Sequence, residues 1–177
     1  LQNGIPEPAN YSSSKHGIEF DRNAPRTGAN WEFLRQLRDK WSGKLVVKGV
    51  LCPDDAVLIK KLGVDAIYVS NHGGRQLDGA PTVIDSLTSI RETVGKNYPL
   101  IYDGGIRNGE HVAKAMASGA NFTMLGRSVM YALGAGGKVG VECVLESIEK
   151  ECDSSIGLLG CCTPTEVGSH SQAQHFS

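Results

Sequence analysis

Four short stretches of this 177-residue chain combine residue types that do chemistry. The densest is Ser70-Asn71-His72-Gly73-Gly74-Arg75-Gln76-Leu77-Asp78. A histidine titrates near neutral pH and can take a proton. An arginine presents a planar fork of donors that matches a carboxylate. The glycines between them let backbone approach a ligand closely. His72 alone reads more readily as an ordinary loop histidine; beside Gly73, Gly74 and Arg75 it reads as a base next to a carboxylate clamp. That pairing suits a small 2-hydroxy acid. Asp78 either orients this loop or caps the turn near Gly79, and the sequence leaves both open.

Lys48 lies among Val46, Val47, Val50 and Leu51. A cationic head drawn into such an apolar setting needs an anionic partner. A flavin ring that gains negative charge on reduction is one such partner. Asp103-Gly104-Gly105-Ile106-Arg107 and Gly126-Arg127 each set glycine beside arginine. Glycine turns and helix N-termini offer backbone N–H groups to anions, and arginine adds charge. One such turn is an ordinary tight turn as often as not, but two after consecutive strands read as a phosphate cradle. Arg91, Lys96 and the Lys60-Lys61 pair fall on helices and read as solvated charges.

The elements that must position these residues alternate. Residues 1–28 carry no sustained period and read as a mobile loop or tail, with 29–177 as one domain. Asn30 caps a helix over 31–41, in which Trp31, Leu34, Leu37 and Trp41 recur at helical spacing. Strands are expected over 45–47, 65–70, 100–102 and 121–125. Helices are expected over 53–62, 82–94, 110–118 and 139–151, and a capping box at 163–166 opens a last one. Strands buried on both faces and alternating with helices imply parallel βα units with right-handed crossovers. Four units make half of an eightfold barrel or a small open sheet, since a closed barrel takes about 250 residues. The candidate residues lie just past the strands' C-terminal ends, the edge where such folds build their sites.

Apolar residues make up 40% and charged residues 21%, the balance of a globular domain rather than a disordered segment. Lys and Arg number 18 against 19 Asp and Glu, which argues against nucleic-acid binding through a basic surface. No apolar run approaches the roughly 20 residues of a membrane span. Residues 1–10 do not read as a signal peptide, and a chain opening on Leu1 reads as a fragment. Cys52, Cys143, Cys152, Cys161 and Cys162 lack the spacing of a zinc site and read as reduced thiols of a cytosolic-type compartment. The adjacent Cys161 and Cys162 leave a redox role open beside that of ordinary thiols.

Taken in order, Val47-Lys48-Gly49-Val50, the stretch from Ser70 to Gly79, Asp103-Gly104-Gly105-Ile106-Arg107-Asn108-Gly109 and Leu125-Gly126-Arg127 resemble the FMN-dependent 2-hydroxy-acid dehydrogenase and oxidase family. That family includes glycolate oxidase, lactate oxidase, respiratory L-lactate dehydrogenase, mandelate dehydrogenase and flavocytochrome b2. The resemblance runs from Trp31 to Ser169 and is strongest toward the lactate-dehydrogenase branch. It implies an α/β (β/α)8 TIM barrel with FMN at its C-terminal mouth, of which this chain is strands five to eight and the C-terminal helices. It implies His72 as active-site base, Arg75 as clamp on the substrate carboxylate, and Lys48 beside the flavin edge that gains charge. Ser70 would lie by the flavin and Asp103 by the ribityl chain, with Gly105, Arg107, Gly126 and Arg127 on the phosphate.

The implied partners are a small 2-hydroxy acid, an electron acceptor (oxygen, a quinone or a cytochrome) and copies of itself in a tetramer, with no nucleic acid and no metal. The implied location is the cytoplasm, at the inner face of the cell membrane for the whole protein. The family's first four strands, with further substrate contacts and the carboxylate that orients the histidine, are not in this chain, so the chain alone is expected to be inactive. Two other readings stand beside this one. An IMP dehydrogenase or type 2 isopentenyl diphosphate isomerase shares the glycine–arginine turns but leaves His72 with Arg75 unexplained. A half-barrel that binds FMN without catalysis is the other.

Overall fold

The computed structural model describes residues 29–168, so the tail reading of 1–28 lies outside them. The chain divides into two units between Leu37 and Arg38. Helix α1 (Trp31–Lys40) runs across that division and opens as expected. The Asn30 Oδ1 accepts the Phe33 N–H at 2.9 Å. None of its residues is buried, and Trp31 and Leu37 of the expected apolar stripe stay exposed. Trp41 leaves the helix; its indole N–H donates to the Lys44 carbonyl at 3.0 Å and its ring lies over Gly43.

From Arg38 onward the order is β1 (Val46–Val50), α2 (Pro53–Lys61), β2 (Ala66–Val69), α3 (Val83–Val94), β3 (Leu100–Tyr102), α4 (Gly109–Ala117), β4 (Phe122–Thr123), α5 (Arg127–Leu158) and α6 (Pro164–Val167). The four strands form one parallel sheet in chain order. Sequential order with crossovers of one hand puts every crossover helix on the same face of the sheet. Burial agrees: Ile67, Val69, Leu100 and Tyr102 are buried against the helices. Their alternates Val46, Lys48, Tyr68 and Ile101 are not. The expectation of strands buried on both faces is therefore corrected, since among the described strand residues the second face is covered only at Ala66. The core lies between that face and the helices, around Ile59 of α2, Leu87, Ile90 and Val94 of α3, and Ala113 and Ala115 of α4.

Turn chemistry fixes the ends. Asp65 gathers Lys44 (2.9 Å), the Leu45 N–H (2.9 Å) and Arg38 (3.0 Å), joining the approaches to β1 and β2. The Thr82 Oγ1 caps α3 and the Asn108 Oδ1 caps α4. Arg91 is not the solvated charge expected, and Lys60, though exposed, is also tied to the fold. The Arg91 guanidinium donates to the carbonyls of Gly119, Gly95 and Tyr98 and to the Asn121 Oδ1, each within 2.9 Å. Lys60 donates to the Val94 carbonyl at 2.7 Å. Each long side chain reaches a helix end or loop whose carbonyls lack helical partners. Lys61 and Lys96 are exposed, as read.

Strand β4 is shorter than expected, but ladder bonds flank it: Asn121 N–H to Leu100 and Met124 N–H to Tyr102, both 2.8 Å. Helix α5 begins twelve residues before the expected 139, at Arg127, and bends at Gly136 and Gly137, where the backbone leaves helical angles. At α6 the Glu166 carboxylate accepts from the Cys162 N–H and the Thr163 hydroxyl, so the reciprocal capping box does not form. No described helix is long and apolar enough to cross a membrane.

Candidate active site

Three consecutive strands deliver one residue each to a common point. Lys48 and Tyr68 are register partners on β1 and β2. Ser70 lies two residues beyond Tyr68 and therefore on the same face of the sheet. Asp103 follows β3, and its N–H donates to the Val69 carbonyl at 3.3 Å. The Lys48 Nζ donates to the Ser70 Oγ at 2.7 Å and to the Asp103 Oδ2 at 2.9 Å. It also lies 4.1 Å from the centre of the Tyr68 ring. Directly after Lys48, Gly49 adopts φ 93° and the register with β2 slips by one residue. Such a bulge re-aims side chains at a strand end.

Two parts of the Lys48 reading change: it lies inside β1 rather than just past a strand, and its apolar neighbours do not bury it. Its side chain is 43% exposed rather than buried, and a protein carboxylate supplies the anion. The other oxygen, Asp103 Oδ1, is buried and makes no hydrogen bond of ordinary geometry among the described residues. Two phenols stand near this carboxylate. Burial, then Asp103, raises the Tyr68 hydroxyl above its ordinary range, and the same causes raise Tyr102. Both remain protonated at neutral pH.

The buried Ser70 Oγ also accepts the His72 N–H at 3.1 Å, so the histidine turn is anchored on the lysine site. His72, Gly73 and Gly74 form a single tight helical turn, closed by the Asn71 Oδ1 on the Gly73 N–H. His72 has φ 57°, the sole positive value among the described non-glycine residues. Strained backbone of this kind clusters at functional sites. Arg75 ends the turn, with its N–H on the His72 carbonyl at 3.4 Å. Both side chains are exposed. Asp78 folds over Gly74, where an added Cβ would stand 3.3 Å from its Oδ1.

The two glycine–arginine turns are joined by a residue that the sequence reading passed over. The Ser128 hydroxyl donates to the Ile106 carbonyl at 2.9 Å, tying the turn after β3 to the first turn of α5. Gly105 has φ 71°. Gly126 precedes the helix, whose N-terminus favours anions. The Arg127 guanidinium is near the histidine turn, 3.7 Å from where a Cβ on Gly73 would stand. Arg107 is exposed and donates from Nη1 to the Ile106 carbonyl at 2.9 Å. The structure thus joins Lys48, Ser70 and Asp103 directly, hangs His72 on Ser70, and brings Gly73 beside Arg127. It shows no contact from the Arg75 or Arg107 guanidinium to the lysine cluster. Tyr68 was also missed; its signal was an aromatic residue two positions before Ser70 on a strand. A cavity beside α4 and α5, lined by Asn108, Glu110, Lys150, Glu151, Ser154 and Ser155, includes none of these residues and is wide open to solvent.

A family model described as FMN-dependent dehydrogenase matches residues 4–174. The L-lactate dehydrogenase of Actinobacillus pleuropneumoniae serotype 5b (strain L20) is 48% identical over 122 residues, which cover 69% of this chain and 32% of that protein. The L-lactate dehydrogenase of Caulobacter sp. (strain K31) is 44% identical over 151 residues, covering 85% of this chain and 38% of its own length. Among solved structures, mandelate oxidase with (S)-4-hydroxymandelic acid aligns with a TM-score of 0.76 and 41% identity, over 79% of this chain and 39% of that one. The chain spans only about a third of the length of these two curated relatives. Its one-sided parallel sheet is the arrangement of part of a TIM barrel. The chain belongs to the FMN-dependent dehydrogenase family.

Proposed function

We propose that this chain holds FMN and the carboxylate of a small 2-hydroxy acid, of the lactate or glycolate class, in an oxidoreductase that forms the 2-oxo acid. The observation that carries this is the convergence of Lys48, Ser70 and Asp103 within 3 Å at the strand ends, with the His72 turn hung on Ser70. FMN fits the residues present. The Asp103 Oδ1 is a buried acceptor with no well-aligned donor among the described residues, and a ribityl hydroxyl is a donor of the right kind. The paired turns at Gly105–Arg107 and Gly126–Arg127 offer N–H groups and cations suited to a phosphate.

FMN, when bound, supplies the acceptor for two electrons. The chain's residues do the rest. Arg75 pairs with the substrate carboxylate and fixes its orientation. His72 takes one of the two protons that the substrate gives up, from the α-carbon or its hydroxyl. Lys48 keeps a positive charge where negative charge develops, an arrangement that favours the charged state without reorganisation. The electrons pass on to oxygen, a quinone or a cytochrome. The working form is a homotetramer in the cytoplasm or at the inner face of the membrane, a placement that the five free thiols support. The chain alone is inactive in this reading, because it spans a third of its relatives' length. Turnover of L-lactate or glycolate by the chain alone refutes that part.

Titration of the purified chain with FMN and with riboflavin tests the cofactor site. FMN binds more tightly, and Arg127→Ala weakens FMN by roughly tenfold, the loss of one charged hydrogen bond, while leaving riboflavin unchanged. Equal affinity for the two flavins sinks the phosphate cradle. Arg75→Lys in the full-length enzyme separates this reading from the other phosphate-binding barrels, since affinity for the hydroxy acid falls only if Arg75 holds a carboxylate.

A further inference from the structure

Lysine carries its charge on a flexible four-carbon stem, and the ammonium settles only where several partners agree. Lys48 is the most exposed member of its cluster, with 43% of its side chain open to solvent against 24% for Asp103. Its ammonium has three N–H donors, and Ser70 and Asp103 take two. The third side is closed by the face of Tyr68, 4.1 Å from ammonium to ring centre. The cross-strand register sets Tyr68 directly opposite Lys48, so the approach is built into the sheet. A ring face attracts a cation through its quadrupole. The Tyr68 phenol is half-buried near Asp103 and stays protonated, so it adds no negative charge to compete for the ammonium.

We propose that Tyr68 is a positioning residue, whose ring face holds the Lys48 ammonium between Ser70 and Asp103 and so fixes the charge offered to a bound flavin. The proposal deepens the function proposed above and rests on it for the identity of the flavin. The Tyr68–Lys48 contact itself does not depend on that reading.

Two measurements separate the parts. In the chain labelled with ε-13C-lysine, the Lys48 ε-methylene resonance, assigned through Lys48→Arg, carries an upfield ring-current shift. Tyr68→Leu abolishes the shift and Tyr68→Phe retains it, with circular dichroism confirming that both variants fold. In the FMN-loaded full-length enzyme, the midpoint potential reports the ratio of affinities for reduced and oxidised FMN. That ratio falls about 2- to 5-fold in Tyr68→Leu, the range of an exposed cation–π contact. The Phe variant largely restores it. A Lys48 resonance that is the same in wild type and Tyr68→Leu overturns the positioning role. A ring-current shift that vanishes while the potential stays fixed overturns its influence on the cofactor. Failure of the wild-type enzyme to bind FMN overturns the proposed function and the flavin part of this inference, while the resonance still decides the contact.

Discussion

His72 occupies backbone that only glycine adopts freely, at φ 57°. A left-handed conformation costs a residue with a Cβ about 1 kcal/mol. The fold tolerates this because the His72 N–H is fixed on Ser70 and the Asn71 side chain closes the turn. Substituting glycine relieves the strain, so the urea midpoint of His72→Gly does not fall below that of the parent. Substituting valine, whose branched Cβ fits this region poorly, lowers it. A valine variant as stable as the parent contradicts the strain. Asp65 gives a pH dependence. Hydrogen bonding from Lys44, then from the Leu45 N–H, then from Arg38, lowers its carboxyl from 3.8 to about 2. A carboxyl lowered in the folded state contributes stability above its unfolded value and loses it as pH falls through the folded one. The contribution is therefore complete above about pH 4 and gone near pH 2. Asp65→Asn flattens the acid limb of stability in that window, which urea unfolding at successive pH values reads directly.

At the scale of elements, the structure is held by reaches between neighbours. Arg91 on α3 satisfies three carbonyls and the side chain that precedes β4. Arg91→Ala leaves several of these acceptors unpaired and costs about 2 to 3 kcal/mol, and Arg91→Lys recovers little because an ammonium lacks the fork. Gly109 shows a second kind of reach. A Cβ there would stand 2.0 Å from the Cys152 backbone N on α5, so Gly109→Ala forces two helices apart. Backbone cannot yield as a side chain can, and the cost reaches about 3 kcal/mol.

These contacts mark what the sequence could and could not reveal. Caps and the polar runs after each strand depend on neighbours in the chain, and they read correctly at Asn30 and Ser70; Lys48, expected just past the first strand, lies inside β1 because that strand runs on to Val50. Arg91, Lys60 and Gly109 act across long separations, so nothing beside them announces their role. The first part of α5 was missed because Gly134, Gly136 and Gly137 look like breakers; two of them do bend the helix without ending it. The sequence offers a flavin as one partner for Lys48 but does not show Asp103 beside the ammonium, because that carboxylate follows the third strand, 55 residues along the chain.

The whole molecule raises the question of its open edges. With the strands in the order β1 to β4, both outer strands lack a described partner on one side. Val46 on β1 is 42% exposed and Phe122 on β4 is 61% exposed. The uncovered sheet face adds Lys48, Tyr68 and Ile101, which in a closed barrel would face its interior. Unpaired edges are templates for further strand pairing, and apolar residues along them strengthen the tendency. The purified chain is therefore expected to self-associate as its concentration rises, seen in light scattering as a mass climbing above the 18.9 kDa of one copy. A charge on an edge strand opposes pairing, so Val46→Lys shifts the onset to higher concentration without loss of circular-dichroism signal. A single monomeric species at every concentration would mean that these edges are shielded, and would overturn the reading of the sheet as an open, one-sided part of a barrel.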